Sequence, residues 1–489
     1  MKRRRILSAL TVVPALSAPW ARLLAAEPTA DALDFTDANT LYDVVVVGSG
    51  LAGLTAALTA RTAGAARVLI LEKSAIVGGH SALASGSIAF VDPVRQRAQG
   101  IVDSVDKFVE DARAAGGAID EPMVRFLAQE SSEALHWIEE QGVKFAPTIF
   151  SAYGGSHPRC VTAYGNTGGR YYIFELNRRC RSLGVHTRLM TRVMGLEHIP
   201  EGLALLAMGE RNRAESIVRA RRVILATGGF AANLALRMRY RPELDQTVAT
   251  TADPHGISRD PATGDGLYLA QEMGAAWTRM ASMVLLPYWG GRMLDYSGAE
   301  LYVDHEGRRF VDETASSNTI ARAIGALPER SMFVITDAKS VKGGNVGAKL
   351  AAGSVHRAQS GSEMARAMDV PVSSLTDTLE AYNAQVRKGG PDAFGRRVFL
   401  QTIDTPPYYW GEERVMVHVT LGGLKVDTHA RVLRPDGSAI ENLYAAGELV
   451  GGIWGEDRLG GTGLMTALVL GRVAGREAVA SSREDQTEP

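Results

Sequence analysis

The stretch GEDRLGGTGLMTAL, Gly455 to Leu468, sets two acids, an arginine and four glycines together near the end of the chain. A guanidinium in such pliant backbone has two uses. It can close a turn by pairing with Glu456 or Asp457, or it can present a planar fork to a substrate carboxylate beside a cofactor. A second constellation lies near the start, in YDVVVVGSGLAGLTAALTARTAGAARVLILEKS, Tyr42 to Ser74. Val44 to Val47 reads as a parallel strand buried on both faces, an alanine- and leucine-rich helix follows, and a second strand ends at Glu72. Gly48 permits the tight turn, Gly50 lets the backbone approach a pyrophosphate, and Gly53 lets helix and strand pack closely. The helix N-terminus adds partial positive charge, and Glu72 is placed to accept both ribose hydroxyls. This unit is expected to bind a dinucleotide.

The elements that must position these groups fit a large globular chain. It has 489 residues, 46% of them hydrophobic, and a formal charge of -1, so nothing points to a nucleic-acid partner. MKRRRILSALTVVPALSAPWARLLAAEP, with Arg3, Arg4, Ile6 and Leu7 and small residues at Ala25 and Ala26, reads as an export signal over 1–26 resembling the twin-arginine type; an ordinary secretory signal is the alternative. No membrane span is expected after its removal, and a periplasmic location follows. Cys160 and Cys180 are the only cysteines; neither begins a CxxCH or a metal spacing, so no haem, cysteine-held cluster or metal site is expected on this chain.

Two further strand signals end in small residues, RRVILATGGF at Gly228 and ENLYAAGELVGG at Gly447 and Glu448. Three such ends describe a cofactor threaded along the carboxyl edge of one sheet. The expected class is α/β: a two-part Rossmann-like domain over 38–282 and 416–480, with an α+β capping domain inserted over 283–415. SSLTDTLEAYNAQV supplies a helical pattern in the insert, and DHEGRRF, holding Asp304, His305, Glu306 and Arg308, reads as a structural hairpin turn.

GSGLAGL with Glu72, ATGGF, ATGDG, HVTLGGLKVD, AAGE and DRLGG stand in the order found in the flavoprotein family of fumarate reductases and succinate dehydrogenases, which the chain resembles from about Tyr42 to Gly475. It is most similar to the soluble flavocytochrome-type members, without their haem domain. The resemblance implies FAD. Gly48, Gly50, Gly53, Glu72 and Lys73 would hold the ADP half, with Gly79, Ser81, Gly86 and Gly228 also on the cofactor. Asp265 would contact the isoalloxazine region, Glu448 the ribityl chain, and Gly463 and Leu464 the pyrimidine edge. His80 stands where membrane-bound members attach FAD covalently; it could do so, hydrogen-bond the cofactor, or have no role. Arg458 would clamp a substrate carboxylate. His418 stands one residue before the family's substrate-binding histidine, whose place Val419 takes.

The chain also departs from the family. LLPYWGG stands where the family has HPT, Arg292 and Asp295 exchange the charges of its proton path, and Ser317 occupies the place of its catalytic arginine. Reducing a C=C bond needs hydride from flavin N5 at one carbon and a proton at the other, so fumarate itself is not the expected substrate. Tyr288 and Arg292, then Tyr296, are the candidates for proton transfer, and Tyr288, Trp289, Tyr296 and Tyr302 suit a larger or aromatic substrate. The expectation is an exported FAD-dependent oxidoreductase acting on the CH–CH or C=C bond of a small organic acid. Its electrons would come from or go to a separate c-type cytochrome or quinol-linked protein. The alternatives are a ketosteroid-like dehydrogenase using its tyrosines, and an electron-transfer subunit with a degenerate site.

Overall fold

The computed structural model describes residues 40–484 except Tyr153, Ile257, Ser258, Asp295 and Gly344; the expected export signal and the reading of Asp295 lie outside the described residues. The valine run and its two later counterparts become neighbours. Strands Ala439–Ala445, Glu215–Leu225, Leu41–Val47, Val68–Leu71 and His186–Arg188 lie side by side in that order, all parallel. Arg431–Leu433 adds an antiparallel flank, and the hairpin Thr191–Ile199 with Gly202–Gly209 pairs antiparallel with the first half of Glu215–Leu225. The three strands that end in small residues therefore end together, at one edge. The helix Leu51–Thr62 buries nine of its twelve residues and opens at Gly50, which supplies no side-chain cap; the amide of Leu51 donates to Ser81 Oγ at 3.1 Å.

The insert has its own antiparallel sheet, in the order Met283–Pro287, Tyr408–Thr420, Ser331–Thr336, Leu301–Val303, with His356–Ala358 also paired to Tyr408–Thr420. Two apolar cores flank it, one around Leu375, Tyr382 and Trp410 and one around Tyr302, Ile320 and Val334. SSLTDTLEAYNAQV lies within the helix Val372–Lys388. DHEGRRF does form a turn, with Asp304 accepting from the amides of Glu306 and Arg308, but the Leu301–Val303 strand before it pairs with Ser331–Thr336 across the cap, so it is not the tip of a hairpin. The expected boundary at 415/416 falls inside one continuous strand, Tyr408–Thr420, which carries the chain from the cap to the cofactor edge. No helix among the described residues is long and apolar enough to cross a membrane.

Candidate active site

A cavity of about 900 Å³ runs from Glu72 at the sheet edge to Arg458 under the cap. It is lined by Gly48, Gly50, Glu72, Lys73, Gly79, His80, Ser81, Gly86, Gly228, Asp265, Glu448, Gly463 and Leu464, and by Tyr288, Arg292, Tyr296, His418 and Arg458. Among the cofactor-binding candidates, Gly53 alone lies off its wall. Its task is packing: a Cβ there would stand 2.0 Å from the Gly48 carbonyl oxygen, and Gly48 itself needs φ of 105°. Gly50 differs, since a Cβ there would meet nothing closer than Ser81 Oγ at 3.5 Å. Cβ atoms at Gly79 and Gly228 would meet no atom within 4 Å. These open faces, with the buried and unpartnered hydroxyls of Thr227 and Thr466 on the same wall, fit an elongated polar cofactor.

At the dinucleotide end, Glu72 accepts from Ser49 N at 2.9 Å, Ser49 Oγ at 2.6 Å and Ser74 N at 2.8 Å, so its carboxylate is held rigidly at the strand end. Lys73 Nζ donates to Pro261 O at 2.7 Å, Thr263 Oγ1 at 2.6 Å and Asp265 Oδ2 at 3.0 Å, and Arg192 also pairs with Asp265. Asp265 is thereby tied beside Glu72. Its carboxylate serves two cations, Lys73 and Arg192, whereas the resemblance would have it contact the isoalloxazine region. Burial opposes ionisation there, but Lys73, Thr263 and Arg192 prevail and hold its pKa below the usual carboxylate value.

His80 sits between two acids, with Nε2 2.6 Å from Asp260 Oδ1 and Nδ1 3.7 Å from Glu448 Oε2. Burial alone would favour the neutral ring, yet these carboxylates raise its pKa to about 10. Glu448 in turn accepts from Thr420 N at 3.0 Å. A protonated ring held at both nitrogens suits a hydrogen-bonding role better than covalent attachment. Because the folded pKa lies above the free value of 6.5, the His80 cation stabilises the fold fully below about pH 6.5, and that contribution disappears as pH rises through about 10. His80→Asn should remove this slope: between pH 6 and 10 the wild-type Tm should fall further than the variant's, and parallel curves in a melting series would sink the assignment.

At the other end, strand pairing explains His418. Val284 faces Val419 while Leu285 faces Val417, so His418 is the extra residue of a bulge. The bulge lets His418 and Val419 both line the cavity, where regular alternation would send one away. Thr251 Oγ1 lies 2.8 Å from His418 Nδ1. Burial, reinforced by the charges of Arg458 and His80, pushes the His418 pKa down to about 3, so it is a neutral polar group rather than a second cation.

Arg458 forms no ion pair with the acids of its own turn. Asp457 spends its carboxylate on two amides, Arg458 N at 2.8 Å and Asn318 N at 2.9 Å, and Glu456 turns toward Ser282 and Arg279. The guanidinium donates from Nη1 to Leu459 O at 3.2 Å, while its Nε is buried without a partner. Burial holds its pKa below the ordinary arginine value, against the pull of Asp457 and Glu448. A Cβ at Gly463 would come within 3.2 Å of Nη2, so that glycine makes room for the fork.

The cap supplies the remaining wall. Ser317, at the start of the helix Ser317–Gly325, lines the cavity where the resemblance placed an arginine, and the next residue, Asn318, pins the Arg458 loop. Arg292 Nε faces the buried Glu300 at 3.3 Å, and Tyr296 OH accepts from Val341 N at 3.1 Å. Tyr288 is 41% exposed at the rim. Two expected aromatic liners are absent from the wall: Tyr302 is fully buried with its hydroxyl donating to Glu300 at 2.8 Å, and Trp289 packs against His255 and Arg414. Sequence reasoning missed Asp260, Arg192 and Thr251. Each reaches its partner across 73 to 180 residues of chain, a separation no local spacing reveals.

The family described as the FAD binding domain matches residues 43–464. Urocanate reductase of Eggerthella lenta is 32% identical over 90% of this chain and 75% of its own length, and the acrylate reductase flavoprotein subunit of Shewanella woodyi is 32% identical over 89% and 90%. The NADH:fumarate oxidoreductase of Klebsiella pneumoniae is also 32% identical, but the chain spans only 48% of its length. Among solved structures, the open form of a flavocytochrome c3 fumarate reductase superposes with a TM-score of 0.72 at 28% identity, covering 94% of this chain and 80% of that one. A 3-ketosteroid-Δ4-(5α)-dehydrogenase from Rhodococcus jostii RHA1 superposes at 0.68 and 26%, covering 92% and 99%. The chain belongs to the FAD-binding flavoprotein family that includes the fumarate reductases, and is an FAD-dependent oxidoreductase acting on CH–CH or C=C bonds.

Proposed function

We propose that the substrate is an unsaturated organic acid other than fumarate, bound by its carboxylate to Arg458 and reduced at the adjacent C=C bond. The observation that carries this reading is the Arg458 guanidinium: it opens on the cavity, its Nε is buried and unpaired, and no described carboxylate stands within 4 Å of it. A desolvated cation of this kind is relieved by an incoming anion. When bound, FAD supplies the hydride chemistry along the wall between Glu72 and Leu464. Arg458 orients the substrate, and neutral His418 and Thr251 offer it hydrogen bonds. The proton comes from the cap, first from Arg292, whose Nε is backed by Glu300, with Tyr288 and Tyr296 as the other cap donors. Fumarate fits poorly, because Ser317 stands where a second cation would be needed.

A ketosteroid-type reaction is the second reading, favoured by the Rhodococcus dehydrogenase and by Tyr288 and Tyr296 on the wall. We also propose export by the twin-arginine route, on Arg3 to Leu7, and electron exchange with a separate periplasmic carrier, since the sequence holds no CxxCH and no second nucleotide fingerprint. The test is anaerobic reoxidation of dithionite-reduced holoenzyme by unsaturated mono- and dicarboxylates, arylacrylates, enones and ketosteroids. Reoxidation by a monocarboxylate at least tenfold faster than by fumarate is expected; reoxidation by ketosteroids alone would replace the acid reading with the second.

A further inference from the structure

The helix Gly169–Ser182 carries four arginines against one glutamate. Arg170, Phe174, Arg178 and Arg181 recur at intervals of four, four and three residues, which is one face of a helix, and all four are exposed. Phe174 is 63% exposed, an unusual position for a phenylalanine. The helix starts against the segment that carries the cofactor wall: Gly169 N donates to Ala84 O at 2.9 Å, and Gly78 packs on Ile173. Leu83, in that segment, is 62% exposed and Ile76 just before it 75%. Leu83, Ser85, Thr167 and Arg170 are at once exposed and part of the cavity wall, so the cavity opens to solvent at this patch.

Exposed apolar residues flanked by arginines at the mouth of this cavity have the form of a transient docking surface. Among the described residues Arg170 forms no ion pair, and Arg178 pairs with Glu175 of its own helix. Building on the reading that electrons arrive from a separate carrier, we infer that this face receives a small acidic one-electron carrier protein. Its acidic rim meets Arg178 and Arg181, and its apolar contact covers Phe174 and Leu83. Each carrier molecule gives up one electron, so two are oxidised for every C=C bond reduced, and the two protons come from the cap and solvent.

The test follows flavin absorbance without any organic substrate, so it stands apart from the acid reading. Holoenzyme is reduced by photoreduced acidic flavodoxin and, separately, by reduced methyl viologen. The flavodoxin rate should fall about tenfold between 20 and 200 mM NaCl and about tenfold in R178E/R181E, with the viologen rate unchanged. F174S, which keeps the charges, should slow the flavodoxin reaction severalfold, and R178K/R181K should restore wild-type behaviour. Rates indifferent to salt and to these variants, no reduction by flavodoxin at low salt, or a dimer that F174S dissociates in sedimentation would each overturn the assignment.

Discussion

Arg458→Ala is expected to lower kcat/KM for a carboxylate substrate by about 10²–10³-fold, ~3–4 kcal/mol, the usual loss when one member of a desolvated charge pair is truncated. The size follows from the surroundings. The guanidinium gives up one hydrogen bond to Leu459 O and no ion pair, so almost all of what alanine removes belongs to the ligand. For the same reason the variant should fold normally, and its Tm should stay level or rise as a buried, poorly paired cation is removed. Arg458→Lys keeps the charge and loses the fork, so it should recover only part of the activity. FAD content and dithionite reduction should be unaffected in both. Activity within threefold of wild type on every carboxylate would sink the clamp and favour the ketosteroid-type reading, in which Arg458 is structural.

The parts of this site that could be read from sequence are those built from short segments. Each sheet-edge strand is a buried apolar run that ends in small residues, and the chain places three of them side by side; that pattern alone located Gly48, Gly228 and Glu448 on one edge. The errors arise where a side chain's role is set by a distant partner. TGDG reads as a cofactor loop, but the hairpin that brings Arg192 to Asp265 lies 73 residues away, so the ion pair on that carboxylate could not be read locally. Tyr302 reads as a pocket tyrosine, but its strand is covered on both faces, so it points to Glu300 instead. His418 looks displaced by one residue, and only the pairing of Met283–Pro287 with Tyr408–Thr420 shows the bulge that returns it to the wall. The same strand carries the chain across the expected cap boundary without a break.

Gly50 and Gly53 offer the sharpest separation between what the fold needs and what FAD needs. At Gly53 a Cβ would stand 2.0 Å from Gly48 O and 3.5 Å from the Ala226 Cβ, so Gly53→Val must push the helix Leu51–Thr62 away from the strand it packs on. That variant should lose several kcal/mol of stability, about the upper range for a core overpacking defect, and purify without FAD or fail to fold. Gly50 has φ of -66°, which any residue adopts, and the protein leaves a Cβ there at ordinary contact distance. Gly50→Val should therefore fold with an apo-protein Tm near wild type while binding FAD at least tenfold more weakly, because the new side chain fills the space the pyrophosphate requires. Titration of stripped protein with FAD, read by flavin fluorescence, and melting of the same apo samples give the two numbers independently. Equal loss of stability in both variants would mean that Gly50 serves packing, and undisturbed FAD affinity in Gly50→Val would move the pyrophosphate away from the start of this helix.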